Sequence, residues 1–107
     1  MAASSQIPQL GPATALVQLL TEHPNLPAAE WSMSSVTAEL RGFVYGGGMA
    51  ELAVYADVLG GSVAAAQNTY KDQGQQVRAH RLSSVWRDVP VVITVALPVA
   101  ESAQVAA

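Results

Sequence analysis

The sequence has no cysteine and few charged or aromatic residues. The missing cysteine excludes disulfides, a thiolate nucleophile and cysteine-ligated metal sites. Charged residues make up 12% of the chain, whereas about 25% is usual in globular proteins. Because 50% of the residues are hydrophobic and 6% aromatic, much of the surface must consist of small apolar or weakly polar side chains. Such a surface favours a subunit interface, and we expect a homodimer.

The sequence also has no long hydrophobic segment. Its most apolar run, residues 89–99, holds about eleven residues, whereas a membrane-spanning helix needs about 20. β-Branched residues dominate this run, and Pro90 and Pro98 lie near its ends, so it predicts a buried strand and no membrane partner. The first eight residues lack the basic and apolar regions of a secretory signal, and we expect a cytoplasmic protein.

Apolar periodicity and turn signals predict one domain over residues 11–99, with a loose arm at 1–10 and an unstructured tail at 100–107. Two helices are predicted, at 12–23 and 48–59. Five strands are predicted, at 28–34, 36–45, 62–70, 75–86 and 89–99, the first two joined by a tight turn at Ser34 and Ser35. The element order is therefore α-β-β-α-β-β-β.

The last two strands can be aligned residue by residue. A two-residue turn at Arg87 and Asp88 sets Trp86 opposite Val89, and the alternation then gives two faces. One face is bulky, and its residues include Trp86, Leu82, Val91, Ile93 and Val95. Because two amphipathic helices need an apolar surface, we expect both on this face of a single antiparallel sheet, in an α+β fold.

The opposite sheet face carries smaller side chains and is the predicted contact surface for a second copy or another protein. Its residues are Val77, Ala79, Val85, Val92, Thr94 and Ala96. Pairing through the edge of the long apolar terminal strand, residues 89–99, is the competing dimer geometry.

No catalytic motif is recognisable, and we expect neither an enzyme nor a bound cofactor. The glycines at 46–48 precede a helix and could hold an anion, but phosphate-loop spacing is absent and Glu51 follows. A cleft beside this turn could still bind a small ligand through Gly47, Gly48, Arg78 or His80. The two histidines, His23 and His80, lie far apart in the sequence, so no metal site is expected.

The basic residues raise the possibility of nucleic-acid binding as a further interpretation. Arg78, Arg81 and Arg87 lie near Trp86 and Tyr70 and could contact nucleic acid. However, the alternation splits them between faces, where ion pairs with Glu39 or Asp88 are the more common outcome. The net charge of −3 also repels a phosphate backbone. Nucleic acid is therefore not the expected partner.

Two segments, residues 26–33 and 80–95, resemble segments of known proteins. With the Ala/Val-rich composition, they resemble a group of small proteins from high-GC actinobacteria that have a helix, a hairpin, a second helix and a terminal V-P-V-x-V strand. The resemblance implies an intracellular α+β domain and brings no known activity or functional residue with it.

Non-catalytic association, as a homodimer, is the expected function. Two alternatives stay open: a module that binds a small ligand or anion, and an accessory factor of a regulatory or mobile-element system with weak nucleic-acid contact.

Overall fold

The computed structural model of the protein describes residues 7–99, which confirm the α+β class and the element order. The helices are α1 (Leu10–Glu22) and α2 (Met49–Leu59), and the strands are β1 (Glu30–Met33), β2 (Leu40–Phe43), β3 (Ser62–Asp72), β4 (Gln75–Trp86) and β5 (Val89–Pro98). Residues 1–6 of the predicted arm and the whole predicted tail, 100–107, lie outside this range. Within it, no helix has the length and hydropathy to cross a membrane.

The five strands form one sheet in the order β1-β2-β5-β4-β3. The terminal strand β5 is therefore central, and the prediction of a free edge on it is wrong. The prediction of an antiparallel sheet is wrong for one pair, because β2 and β5 run parallel, with Leu40 beside Val91 and Gly42 beside Ile93. The cause is the connection through α2. Since β3, β4 and β5 pair antiparallel in turn, β5 runs in the same direction as β3, and α2 brings the chain back so that β3 has the direction of β2.

Both helices pack on the face that carries Val91, Ile93 and Val95, as the alternation predicts. We call it the helix-covered face. Two hydrogen bonds fix the layers: Trp86 Nε1 donates to the Ala15 carbonyl of α1 at 3.1 Å, and Ser84 Oγ donates to the Leu59 carbonyl of α2 at 2.8 Å. These bonds fix each helix at one position along the sheet.

The helices begin and end close to the predicted residues. Pro12 lies in the first turn of α1, where its missing N–H needs no partner, and Pro24 stops the helix after His23. The N–H of Gly48 donates to Glu51 Oε1 at 2.7 Å, which caps the start of α2.

The β4–β5 hairpin confirms the predicted register, with Trp86 opposite Val89 and Leu82 opposite Ile93. Arg87 and Asp88 have φ angles of 52° and 68°. Positive φ at both central residues is typical of a two-residue hairpin turn whose twist matches that of the strands.

The first hairpin differs from the prediction. β1 and β2 have four residues each, and residues 34–39 form a loop instead of a tight turn. Ser34 Oγ accepts hydrogen bonds from the N–H groups of Val36 and Thr37 at 2.9 and 3.1 Å, and Val36 is 82% exposed. The side chain of Ser34 therefore competes with strand pairing at residues whose apolar pattern suggested a strand.

β3 extends to Asp72 and contains an irregularity. Ala65 pairs with His80 and Thr69 with Arg78, so residues 66–68 bulge opposite Ala79. Arg78 Nη1 donates to the carbonyls of Ala66 and Gln67, at 2.6 and 2.8 Å. The guanidinium therefore satisfies carbonyl groups that the bulge removes from the ladder.

Candidate functional site: the open face of the sheet

The sheet face opposite the helices, called here the open face, carries the six predicted interface residues. Val85 is 62% exposed there, and Val92, Thr94 and Ala96 are half-buried. Val77 and Ala79 are buried already within the single chain, at 5% and 4% exposure. These two positions therefore have little surface left to offer a partner.

A groove of about 390 Å³ crosses the open face, and all five strands contribute to it. We call it the open-face groove. Its middle consists of the small side chains Ala79 and Thr94, and its walls are larger. The wall residues include Glu30, Arg41, Phe43, Tyr45, Tyr70 and Arg81.

The register places four open-face residues in one row across the sheet. Phe43 pairs with Glu30 on one side and with Thr94 on the other, and Thr94 pairs in turn with Arg81. Cross-strand partners project to the same face. A carboxylate and a guanidinium therefore stand at opposite ends of the groove, with an aromatic ring and a hydroxyl between them.

The acidic end of the groove is joined to an aromatic pair. The Tyr45 hydroxyl donates to Glu30 Oε1 at 3.3 Å, and the Tyr45 ring lies 4.4 Å from that of Phe43, centroid to centroid. The negative charge of Glu30 raises the pKa of Tyr45, with smaller contributions from burial and from the hydrogen bond to Glu30. The phenol therefore remains a hydrogen-bond donor across the neutral pH range.

At the basic end, the side chain of Arg81 forms no hydrogen bond or ion pair with any residue in 7–99. The other arginines are engaged: Arg41 with Glu39 at 2.6 Å, Arg87 with Glu22 at 2.6 Å, and Arg78 with the bulge carbonyls. The prediction of an ion pair with Glu39 or Asp88 is therefore wrong for Arg87. Arg87 forms its ion pair with Glu22 on α1, because the hairpin turn lies beside that helix.

The three arginines of the predicted nucleic-acid cluster are not brought together. Arg81 is on the open face with Tyr70, whereas Arg78 lies on the helix-covered side of β4. Arg87 lies over the Trp86 ring, with its Cζ 4.7 Å from the ring centroid. The predicted split between faces is confirmed.

The predicted ligand residues lie on the other side of the sheet. The N–H groups of Gly47 and Gly48 donate to the Val44 carbonyl and to Glu51, respectively, and Arg78 holds the bulge. His80 is 3% exposed on the helix-covered face, and burial, with a smaller effect of the Arg78 charge, lowers its pKa. The donors of Gly47, Gly48 and Arg78 therefore already have internal partners. Ligand binding at this cleft stays a prediction.

The outer edge of β3 is a second candidate surface. β3 is the last strand of the sheet, and nine of its eleven residues are exposed. The opposite edge is β1, which has four residues.

Within residues 7–99, no three histidine or acidic side chains are placed to share a metal ion. No protein-family model, curated protein or solved structure matches the chain. The resemblance to actinobacterial proteins therefore stays a prediction.

Proposed function

We propose that the chain acts by association, without catalysis, as a homodimer in which β3 pairs with the β3 strand of a second copy. The observation that carries this proposal is the long, exposed outer edge of β3, whose residues 62–69 are uncharged. A cysteine-free chain needs no disulfides, which is compatible with the cytoplasm, where we propose the dimer works.

The two edges of the sheet differ in how they meet solvent. β1 is short and begins with the exposed carboxylate Glu30. Natural sheets protect their edges in this manner, because a long edge with free N–H and C=O groups is a template for another strand. Residues 62–69 of β3 contain neither a charge nor a proline. This part of the β3 edge thus lacks the sequence features that discourage pairing.

The side chains of β3 suit a two-fold antiparallel contact. With the symmetry axis at Ala64, each copy places Ala64 opposite Ala64 and Val63 opposite Ala65. These side chains are small, exposed and uncharged, so the pairing buries no unpaired charge. The bulge at residues 66–68 limits the regular contact to the first half of β3.

The length of this contact sets the expected affinity. A pairing of about five residues buries less than the roughly 1,200 Å² that marks stable interfaces. We therefore expect a reversible dimer, and sedimentation velocity should show a monomer–dimer equilibrium between about 10 and 500 μM. A single monomeric species over the whole range would contradict the proposal.

The absence of cysteine makes a crosslinking test direct. In Ala64→Cys, the two thiols face each other across the axis with Cα atoms about 4.5 to 5.5 Å apart, a distance that a disulfide can span. In Val63→Cys the two Cα atoms lie more than about 7 Å apart and should crosslink slowly. We expect rapid dimer formation on a non-reducing gel from Ala64→Cys alone.

A matched control separates this geometry from random collision. Ala53→Cys presents an exposed thiol on α2, away from β3, and should behave like Val63→Cys. Equal crosslinking rates for all three variants would refute the β3 interface. Contact through the open face is the competing geometry, and Val85→Lys should weaken association only if that geometry is correct.

A further inference from the structure

We propose that the open-face groove binds a small aromatic carboxylate, with Arg81 holding the carboxylate and the rings of Phe43, Tyr45 and Tyr70 walling the aromatic group. The site adjoins the β3 edge contact, because Ala64 is the cross-strand neighbour of Arg81, but it lies on the sheet face and not along the outer edge. It uses residues that the sequence did not single out together.

The first supporting observation is that the guanidinium of Arg81 lacks a partner among residues 7–99. The guanidinium of each other arginine has an acidic or carbonyl partner, whereas that of Arg81 has none among residues 7–99. It lines the groove beside Thr94, its cross-strand partner, whose hydroxyl can also donate. A planar guanidinium binds a carboxylate through two parallel hydrogen bonds, and the site is therefore arranged for one carboxylate at this position.

The second support is the arrangement of the rings. Phe43 and Tyr70 stand on β2 and β3, three strand spacings apart, and Tyr70 also lies further along the sheet, because it pairs with Val77 and not with Arg81. The strands between them contribute the small side chains Thr94 and Ala79. This spacing leaves room for a flat ligand ring between aromatic walls, where ring edges and faces attract one another.

The third support is size and charge distribution. A volume of about 390 Å³ is at the low end of ligand sites, which suits one or two rings. Glu30 occupies the end opposite Arg81 and is already an acceptor for Tyr45. A ligand with a hydroxyl donor para to its carboxylate therefore fits both ends, whereas a polyanion would meet the Glu30 carboxylate.

The test is an NMR titration of ¹⁵N-labelled protein with 4-hydroxybenzoate. We expect the amide signals of Phe43, Ala79 and Thr94 to shift, with a Kd on the order of 0.1 to 1 mM for a ligand of this size. The neutral isostere 4-hydroxybenzamide should bind about tenfold more weakly, because it cannot form the charge-assisted pair. Absence of shifts up to about 10 mM would overturn the proposal.

Variants identify the residue that binds. Arg81→Gln should weaken 4-hydroxybenzoate binding about tenfold, and Arg87→Gln, whose charge lies in the hairpin turn beside α1, should leave it unchanged. Tyr70→Leu, at a partly exposed position, should weaken both ligands and tests the ring wall separately. Unchanged affinity in Arg81→Gln with a native spectrum would refute the assignment. A decamer of uridylate that binds the same amides more tightly than 4-hydroxybenzoate would also refute it and favour single-stranded RNA.

Discussion

Gly61 follows α2 with a φ of +93°, and a Cβ built on it would lie 2.2 Å from the Ser83 carbonyl oxygen and 2.9 Å from Ser84 Cβ. The main chain of this turn thus lies directly against β4. Ser84 also binds the end of α2 through the Leu59 carbonyl. The turn and the strand are therefore held at one distance by this close backbone approach and by the Ser84 hydrogen bond.

We predict that Gly61→Ala lowers the free energy of unfolding by about 3 kcal/mol or more, because the methyl group adds a backbone clash to an unfavourable φ. Gly46→Ala is the matched control: Gly46 also has a positive φ, of 70°, but nothing lies within 4 Å of its Cβ position. The control should cost only about 1 to 2 kcal/mol. Urea denaturation measures both, and equal losses would show that the contact with β4 is unimportant.

At the scale of elements, the two hairpins of the sheet differ in how far the sequence determines them. In the β4–β5 hairpin, the alternation of bulky residues and the turn at Arg87 predict the same register, and the structure has that register. In the β1–β2 hairpin, Val36 and Thr37 suggested a strand, but a local hydrogen-bond acceptor, Ser34 Oγ, holds them in a loop. Apolar pattern alone does not reveal such a competitor.

We predict that Arg78→Gln destabilises the β3 bulge. Two carbonyl groups lose a charged donor, and a hydrogen bond from a charged group contributes about 1.5 to 3 kcal/mol. Because the position is half-buried and water can replace part of each bond, we expect the free energy of unfolding to fall by about 1 to 2 kcal/mol. Hydrogen exchange should accelerate at residues 66–69 and much less in β5. Arg41→Gln, which breaks an exposed ion pair, should cost less than about 1 kcal/mol. Uniform acceleration over the whole sheet would instead indicate global destabilisation.

At the scale of the whole molecule, the sequence predicted both layers but not the open-face groove. Alternation assigns each residue to a face, which is why the helix-covered core was correct. It does not say which strands are neighbours. Glu30, Thr94 and Arg81 align only because β5 inserts between β2 and β4, and the parallel β2–β5 pair has no local sequence signal.

The buried His80 should make the stability of the whole domain depend on pH. Its folded-state pKa lies below the ordinary 6.5, first because of burial and then because of the charge of Arg78. As the pH falls below about 6.5, the unfolded chain binds a proton that the folded chain resists. The free energy of unfolding therefore decreases from this pH down to the folded-state pKa.

Urea denaturation at about pH 7.5 and about pH 5.5 measures this difference. We predict that His80→Gln flattens the dependence, whereas His23→Gln, at the end of α1, retains it. The pKa of Glu51 is lowered, chiefly by the hydrogen bond from the Gly48 N–H, so its contribution is lost only at more acidic pH, below its ordinary value of 4.5. A His80→Gln profile identical to that of the wild type would contradict the prediction.

The position of β5 in the sheet has a consequence for synthesis on the ribosome. The β1–β2 hairpin and the β3–β4 hairpin have no partner strand in common except β5, which is also the last of the five to be translated. In both nascent hairpins, the strand edge that pairs with β5 therefore remains unpaired until residue 98 leaves the exit tunnel. We expect this interval to be the stage at which the chain most needs a chaperone.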